Sequence, residues 1–522
     1  MLDDLLLSFT HFYPYILACL FLIYITSNYY NHGLNRIPGP FWAKFTDLWR
    51  FIDVYGRRPD ITHIELHKKY GDVVRLGPNT LSFADPKALK AIYGLNKGYV
   101  KSAFYPVQMP IAKGELLPSL FSSTDEAFHA NLRRSVNNAF SMSALVQYEP
   151  MVDETTELFL DQTDKFFASH NQTCNFSRWL QFYAFDVIGA ITYSKRHGFI
   201  DNNEDIDGIV ASLAKIFDYA APVGQMPWLD SIFWKNPLLN LLEKFGIREN
   251  SSSVAKFASA RMAERLRGVS SDDTEKGATT YQGQRDDLLS MFLKAQKARP
   301  DFMTDKRVLT MATSMAFAGS ETTAISLAAV FYHIMKNPTC LRKLVAEIQT
   351  AVDNGTIENR ATGIVSWKES QTLPYLDACI KEAFRVHPAA GIPLERITPS
   401  SGVEICGQHV AGNTIVGCSP WVIHRRPEIF GEDADVFRPE RWLDSDPAKI
   451  REMNGNMFHF GAGARTCIGK NISLMEIYKL VPSFLRRFEV SFNNPSDTWK
   501  LHNAWFVRQL NFNVKFSSKK IN

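Results

Sequence analysis

The chain has no strong excess of charge of either sign. Lys plus Arg number 58 and Asp plus Glu 54 in 522 residues, a net charge of +4. That balance gives no support for a nucleic-acid binder held by bulk charge, and no nucleic acid is expected among its partners. Cysteine is scarce and scattered: Cys19, Cys174, Cys340, Cys379, Cys406, Cys418 and Cys467 form no CxxC pair. An odd, dispersed set excludes a disulfide framework and a structural zinc site. Six read as ordinary buried or membrane residues, which leaves one thiol free for another task. No internal repeat is present. Hydrophobic residues at 45% and charged residues at 21% exclude disorder as the main state.

Charge is also missing locally. Between Asp4 and Arg36 there is no Asp, Glu, Lys or Arg, and the run Ile16 to Ile25 is apolar. About 20 apolar residues cross a bilayer. Tyr13, Tyr15, Tyr29 and Tyr30 suit the two interfaces. A cleaved signal peptide fits less well, because Met1-Leu-Asp-Asp lacks a basic n-region and no A-x-A-like site follows. The acidic start, with His32 and Arg36 after the run, places the body on the cytosolic side. The division expected is an anchor over 1–36 and one large domain over 37–522. Ile37-Pro38-Gly39-Pro40 reads as a stiff hinge between them. Cytosolic topology makes the glycosylation sequons at Asn171, Asn250 and Asn471 chance matches.

From Val308 to Tyr332 the only formal charge is Glu321. Ser, Thr and Gly crowd the centre of this segment, and a carboxylate at mid-membrane is costly. It reads as a long helix buried in the body. Val73–Leu76 and Thr80–Phe83 flank a Gly-Pro-Asn turn and predict a hairpin. The texture from Pro86 to about Arg385 is helical. The polar stretch 268–287 reads as an exposed connection. Strand signals return over 403–416, with Gly407 and Gly412 as turns. The fold class expected is mainly α with a small β region.

Four segments carry chemistry. In Phe460-Gly-Ala-Gly-Ala-Arg-Thr-Cys-Ile-Gly469, three glycines surround Cys467, and Ile468, Ile472 and Met475 recur at helical spacing. A thiolate at a helix N-terminus is stabilised by the dipole and the free N–H groups, with Arg465 nearby as a fixed charge. Two readings stand on these residues alone: a metal-bound thiolate, or a Gly-rich turn holding an inert cysteine. Ala318-Gly-Ser-Glu-Thr-Thr323 sets an acid beside alcohols within apolar flanks, and such a pair can pass protons in a dry interior. The alternative is a solvent-facing polar patch. Glu382 and Arg385 lie at i, i+3 on a helix ended by Pro388; taken alone, that spacing suits a surface ion pair. Phe437-Arg-Pro-Glu-Arg-Trp442 is a loop dense in arginine and aromatics.

In this order and spacing the four segments resemble the cytochrome P450 family of haem-thiolate monooxygenases, over nearly the whole chain. The resemblance implies the cytochrome P450 fold and haem b between the long helix and the cysteine loop. It makes Cys467 the axial thiolate, packs Phe460 beside it, and lets Gly463 and Gly469 permit the tight loop. Arg465, Arg396 and Arg133 become propionate partners. Glu382, Arg385 and Arg441 become a buried, non-catalytic ion network. Thr322 becomes the contact to the oxygen being activated, and Glu321 its proton source. One departure is plain: His129 stands where the family usually has Trp, four residues before Arg133. It reads either as a further propionate partner or as a surface helix residue.

The resemblance further implies NADPH as indirect electron donor, NADPH-cytochrome P450 reductase as partner, a small lipophilic substrate, and a single-pass endoplasmic reticulum membrane location. The pocket walls expected by analogy are the Phe104–Phe121 loop, the 208–245 region, Ala389–Pro393, and Trp505 with Phe506. The hinge, Leu373-Pro-Tyr, the Phe41–Trp49 texture and the Asp125–Phe140 segment are similar to fungal pisatin-demethylase-like members, which often serve secondary metabolism. Two rivals share the fold: a haem-thiolate isomerase or dehydratase needing no reductase, and a haem carrier or gas sensor. The Glu321–Thr322 pair speaks against the first. The lack of His or Met over 316–323 speaks against the second.

Overall fold

A 32-residue helix, Asp305–Lys336, runs through the middle of the molecule. It is opened by Thr304, whose side chain accepts the Arg307 N–H. Most of its residues from Val308 to Met335 are buried, which explains its largely apolar composition; the most open stretch is Phe317–Gly319, with Leu309, Thr313, Ser314, Thr322 and His333 partly buried. The helices that flank it include Phe176–Tyr193, Pro374–Val386 and Lys470–Arg487. The first approaches closely at Gly319, where a built Cβ would stand 3.0 Å from Ile188 Cγ1. Glycine there does not interrupt the helix, contrary to its low propensity; it lets two helices meet. The computed structural model describes residues 2–112, 115–245, 247, 253–267 and 287–520. Nearly all of the polar stretch expected as an exposed connection, 268–286, lies outside them.

The β portion is small, as expected. Its largest sheet has five strands in the order Val73–Gly77, Thr80–Phe83, Ile415–Gly417, Arg396–Ile397, Val100–Lys101. The predicted hairpin pairs Val73 with Phe83 and Gly77 with Thr80. A second hairpin, Val403–Ile405 with Gln408–Val410, turns at Cys406 and Gly407, both at positive φ. Cys406 is exposed in that turn, so it is neither buried nor in the membrane segment.

The N-terminal helix Leu2–Tyr30 leads into a 3-10 segment, Asn31–Arg36. Among the described residues, the segment over 12–36 is the one stretch long and apolar enough to cross a membrane; its side chains face outward from Phe12 to Tyr24, while Leu34 is buried against the body. The hinge expected at 37–40 is instead pinned to the body. Arg75, fully buried in the first strand, donates to the last carbonyls of the N-terminal helix, Asn28 O at 2.5 Å and Tyr29 O at 2.8 Å. These carbonyls have no partner within the helix, and a cation suits that end of the dipole. The Arg75 N–H also bonds Pro38 O at 2.8 Å. A Cβ on Gly39 would sit 2.2 Å from Arg75 O, so the strand and the Pro-Gly-Pro segment touch backbone to backbone.

Candidate functional site

The cysteine loop is folded by two glycines in the left-handed region, Gly461 (φ +69) and Gly463 (φ +66). At Gly463 the requirement is double, because a Cβ would stand 1.8 Å from Tyr93 O. The Cys467 N–H closes the loop onto Phe460 O at 2.9 Å, while the Phe460 ring packs on Phe384 with centroids 5.6 Å apart. The helix Lys470–Arg487 then begins, and the N–H groups of Gly469 and Lys470 donate to the Cys467 sulfur. Burial pushes the thiol's pKa up; those two N–H groups and the Arg133 charge pull toward the thiolate. Gly469 departs from expectation. Its φ is −81° and no protein atom lies within 4 Å of a built Cβ, so the bend does not require glycine there. Its contribution is the N–H.

Cys467 keeps accessible surface although loop and helix enclose it. The Phe317–Gly319 stretch of the long helix does the same between buried turns. The two elements are tied just beside these faces, where Thr323 Oγ1 donates to Ser473 Oγ at 3.2 Å. Thr322 Oγ1 donates back to Ala318 O at 2.8 Å. Glu321 is 3% exposed, which rules out a solvent-facing patch. It accepts a hydrogen bond from Gln181 on the Phe176–Tyr193 helix and lies 3.7 Å from Arg508 Nε. Burial holds its pKa above the ordinary carboxylate range, partly offset by Arg508.

A cluster of basic groups surrounds His129. Arg133 reaches the cysteine loop directly, its Nη1 donating to Thr466 O at 2.7 Å. Arg465 forms an ion pair with Glu126 (Nη2 to Oε1, 2.6 Å), a carboxylate in the first turn of the helix Glu126–Val136. Arg396 is buried against the Tyr93 and Tyr105 rings. Lys101, from the neighbouring strand, donates to Phe121 O and lies over Tyr105 at 4.1 Å. His129 itself is buried, so it is not a surface helix residue. Burial together with Arg465, Lys101, Arg133 and Arg396 depresses its pKa to about 3. It is therefore a neutral imidazole among three arginines and Lys101, whose own charge is disfavoured by burial and by Arg396 and Arg465. Such a cluster suits the two carboxylates of a haem, and the N–H-cradled sulfur of Cys467 suits its iron; the residues present fit the group.

Behind the loop, Glu382 is fully buried and saturated with donors. Arg385 donates twice (2.7 and 2.9 Å), Arg441 Nε once (2.9 Å), Trp442 Nε1 once (2.9 Å) and the Arg438 N–H once (2.9 Å). Arg385 and Arg441 are also buried, so the surface ion pair suggested by spacing alone is ruled out. The remaining guanidinium hydrogens bond carbonyls of His424, Val436 and Phe430 among others, and Asp433.

The family model for cytochrome P450 matches residues 39–516. The chain belongs to the cytochrome P450 family. It is 41% identical over 502 residues to the cytochrome P450 monooxygenase cicH of Emericella nidulans, covering 96% of this chain and 97% of that protein. It is 39% identical to a cytochrome P450 monooxygenase of Aspergillus terreus, over 94% of this chain and 97% of that one, and 36% identical to pkfB of Emericella nidulans, over 97% and 96%. This P450 is a monooxygenase of the haem-thiolate class.

Four residues of the P450 site escaped sequence reasoning: Lys101, Glu126, Gln181 and Arg508. Glu126 carried a signal in hindsight, as the acidic first-turn residue of a helix capped by Asp125. The others sit on short strands or mid-helix with no local mark. The four expected pocket walls do meet. Trp505 packs on Phe104 (4.6 Å between centroids) and Phe121 (6.1 Å), Phe506 packs on Phe217 (5.2 Å), and Trp505 O accepts the Gly391 N–H at 2.8 Å.

Proposed function

We propose that this P450 inserts one oxygen atom of O2 into a lipophilic small molecule, with electrons from NADPH delivered through NADPH-cytochrome P450 reductase. The observation that carries this reading is the buried Glu321 next to Thr322 on the long helix, beside the helix that follows Cys467. The overall conversion is RH + O2 + 2 electrons + 2 protons to ROH + H2O. It requires two protons delivered into a dry interior. Haem held by Cys467 supplies the oxygen-activating chemistry; donation from the sulfur favours O–O cleavage.

Each residue then has a task. Gly469 and Lys470 N–H groups and Arg133 favour the Cys467 thiolate. Arg133, Arg396, Arg465, Lys101 and neutral His129 hold the propionates, with Arg465 released from Glu126 or shared with it. Phe460 packs beside the ligand, and Gly463 permits the loop. Glu321 holds a proton because burial disfavours its charge, and passes it to the Thr322 hydroxyl. Thr322 orients that proton toward the oxygen being cleaved. Glu382, Arg385 and Arg441 brace the loop and touch no reactant. Aromatic walls around Trp505 and Phe217 exclude water and suit an apolar substrate.

The apolar helix over 12–36 anchors the chain in the endoplasmic reticulum membrane with the 37–522 domain on the cytosolic side. The substrate belongs to secondary metabolism; fungal relatives at 36–41% identity support this placement. In Thr322→Ala, NADPH consumption with added reductase should continue while peroxide replaces product. Undiminished coupled product would overturn the relay. A reductase-independent isomerase would turn over without NADPH, and a carrier would do neither.

A further inference from the structure

Arg508 sits between two carboxylates on different helices. On one side its Nε lies 3.7 Å from Glu321 Oε1, too far for a hydrogen bond, and this Nε is buried with no hydrogen-bond partner. On the other side its Nη2 donates to Asp218 Oδ1 at 2.7 Å. Asp218 belongs to the helix Ile209–Val223 and shares the same oxygen with His502 Nε2 at 2.8 Å, across the hairpin from Arg508. Arg57 Nη2 holds the Asp218 backbone carbonyl at 2.8 Å. Asp218 also lines a cavity of about 520 Å³ among Phe51, Tyr55, Tyr219, Phe233 and Trp234, and is 37% exposed. Among the described residues, the other polar group on the Glu321 carboxylate is the neutral amide of Gln181.

We propose that Arg508 is a positioning residue that sets the protonation state of Glu321, its one guanidinium being divided between Glu321 and Asp218. The proposal rests on the reading of Glu321 as proton donor. The hydrogen-bonded partner, Asp218, holds the guanidinium back from Glu321, so the acid stays protonated. When a cationic group entering the cavity takes Asp218 as its partner, Arg508 is free to close the 3.7 Å gap and ionise Glu321. Asp218 thus couples the cavity to the proton supply.

The test follows the infrared band of the protonated carboxyl in full-length ferric holoenzyme in phospholipid nanodiscs, from about pH 5 to about pH 9. Loss of the band in Glu321→Gln assigns it. Arg508→Gln should raise its midpoint by about 1–3 pH units, since an opposite charge at this range favours ionisation by that much. Asp218→Asn should lower it, by freeing Arg508 and removing a like charge. Arg508→Lys, which keeps the charge without the fork, should fall between wild type and Arg508→Gln. A midpoint unmoved in both Arg508→Gln and Asp218→Asn overturns the proposal. Peroxide released per NADPH with reductase tests the parent reading separately. If Glu321→Gln leaves it unchanged, Glu321 is not the donor, while the midpoints still decide whether Arg508 governs it.

Discussion

Replacing Glu382 by Ala removes the acceptor of five hydrogen bonds from Arg385, Arg441, Trp442 and the Arg438 backbone. Both guanidiniums are buried, so water cannot take the place of the carboxylate. An orphaned buried donor costs about 1–3 kcal/mol, but the losses do not add, because both arginines keep carbonyl partners. Breaking a buried pair by removing one member costs about 3–5 kcal/mol. That is a large share of a total stability of about 5–15 kcal/mol. Glu382→Gln should cost nearly as much, since its amide turns a donor toward guanidinium donors. Glu382→Asp should not rescue either, because it is one methylene too short. The assay is urea unfolding of the purified protein, followed by tryptophan fluorescence, at matched haem content. A loss in Glu382→Ala below about 1 kcal/mol, the worth of an exposed pair, would refute the reasoning.

Other outcomes follow from single contacts. Gly463→Ala should prevent stable haem incorporation, read as the ratio of haem to protein absorbance, since its Cβ meets Tyr93 O at 1.8 Å and its φ is +66°. Gly469→Ala at φ −81° should be tolerated by the apo-fold, read by circular dichroism. Arg75→Ala should increase proteolysis near Arg36, because the buried guanidinium ties the N-terminal helix to the first strand. Glu476 is fully buried with neither oxygen hydrogen-bonded, and burial holds its pKa well above the usual carboxylate range. A carboxyl raised in this way contributes its full stability below its unfolded pKa of about 4.3 and loses it as pH rises through the folded value. Glu476→Gln should therefore raise the urea midpoint, and the gain should be larger at pH 8 than at pH 5.

What was legible in the sequence was what local spacing encodes. The glycines around Cys467, the Glu321–Thr322 step and the 73–83 hairpin each depend on residues within a few positions. Glu382, Arg385 and Arg441 became legible only through family resemblance, for the spacing of an i, i+3 pair says nothing about burial. Lys101, Gln181 and Arg508 act across 20 to 187 positions, from a two-residue strand, a largely apolar helix and a five-residue strand, and no local pattern marks them. The hinge was misjudged for the same reason. Pro-Gly-Pro does stop a helix, yet the backbone contact of Gly39 with Arg75 turns it into a fastening.

The central claim is that Cys467 binds the haem iron as a thiolate. The carbon monoxide difference spectrum of the reduced full-length protein tests it most directly. The wild type should give the strongly red-shifted Soret band of thiolate ligation, and Cys467→Ser should lose it while the fold persists by circular dichroism. A well-folded, haem-loaded wild type without that band, or a Cys467→Ser variant that keeps it, would contradict the account.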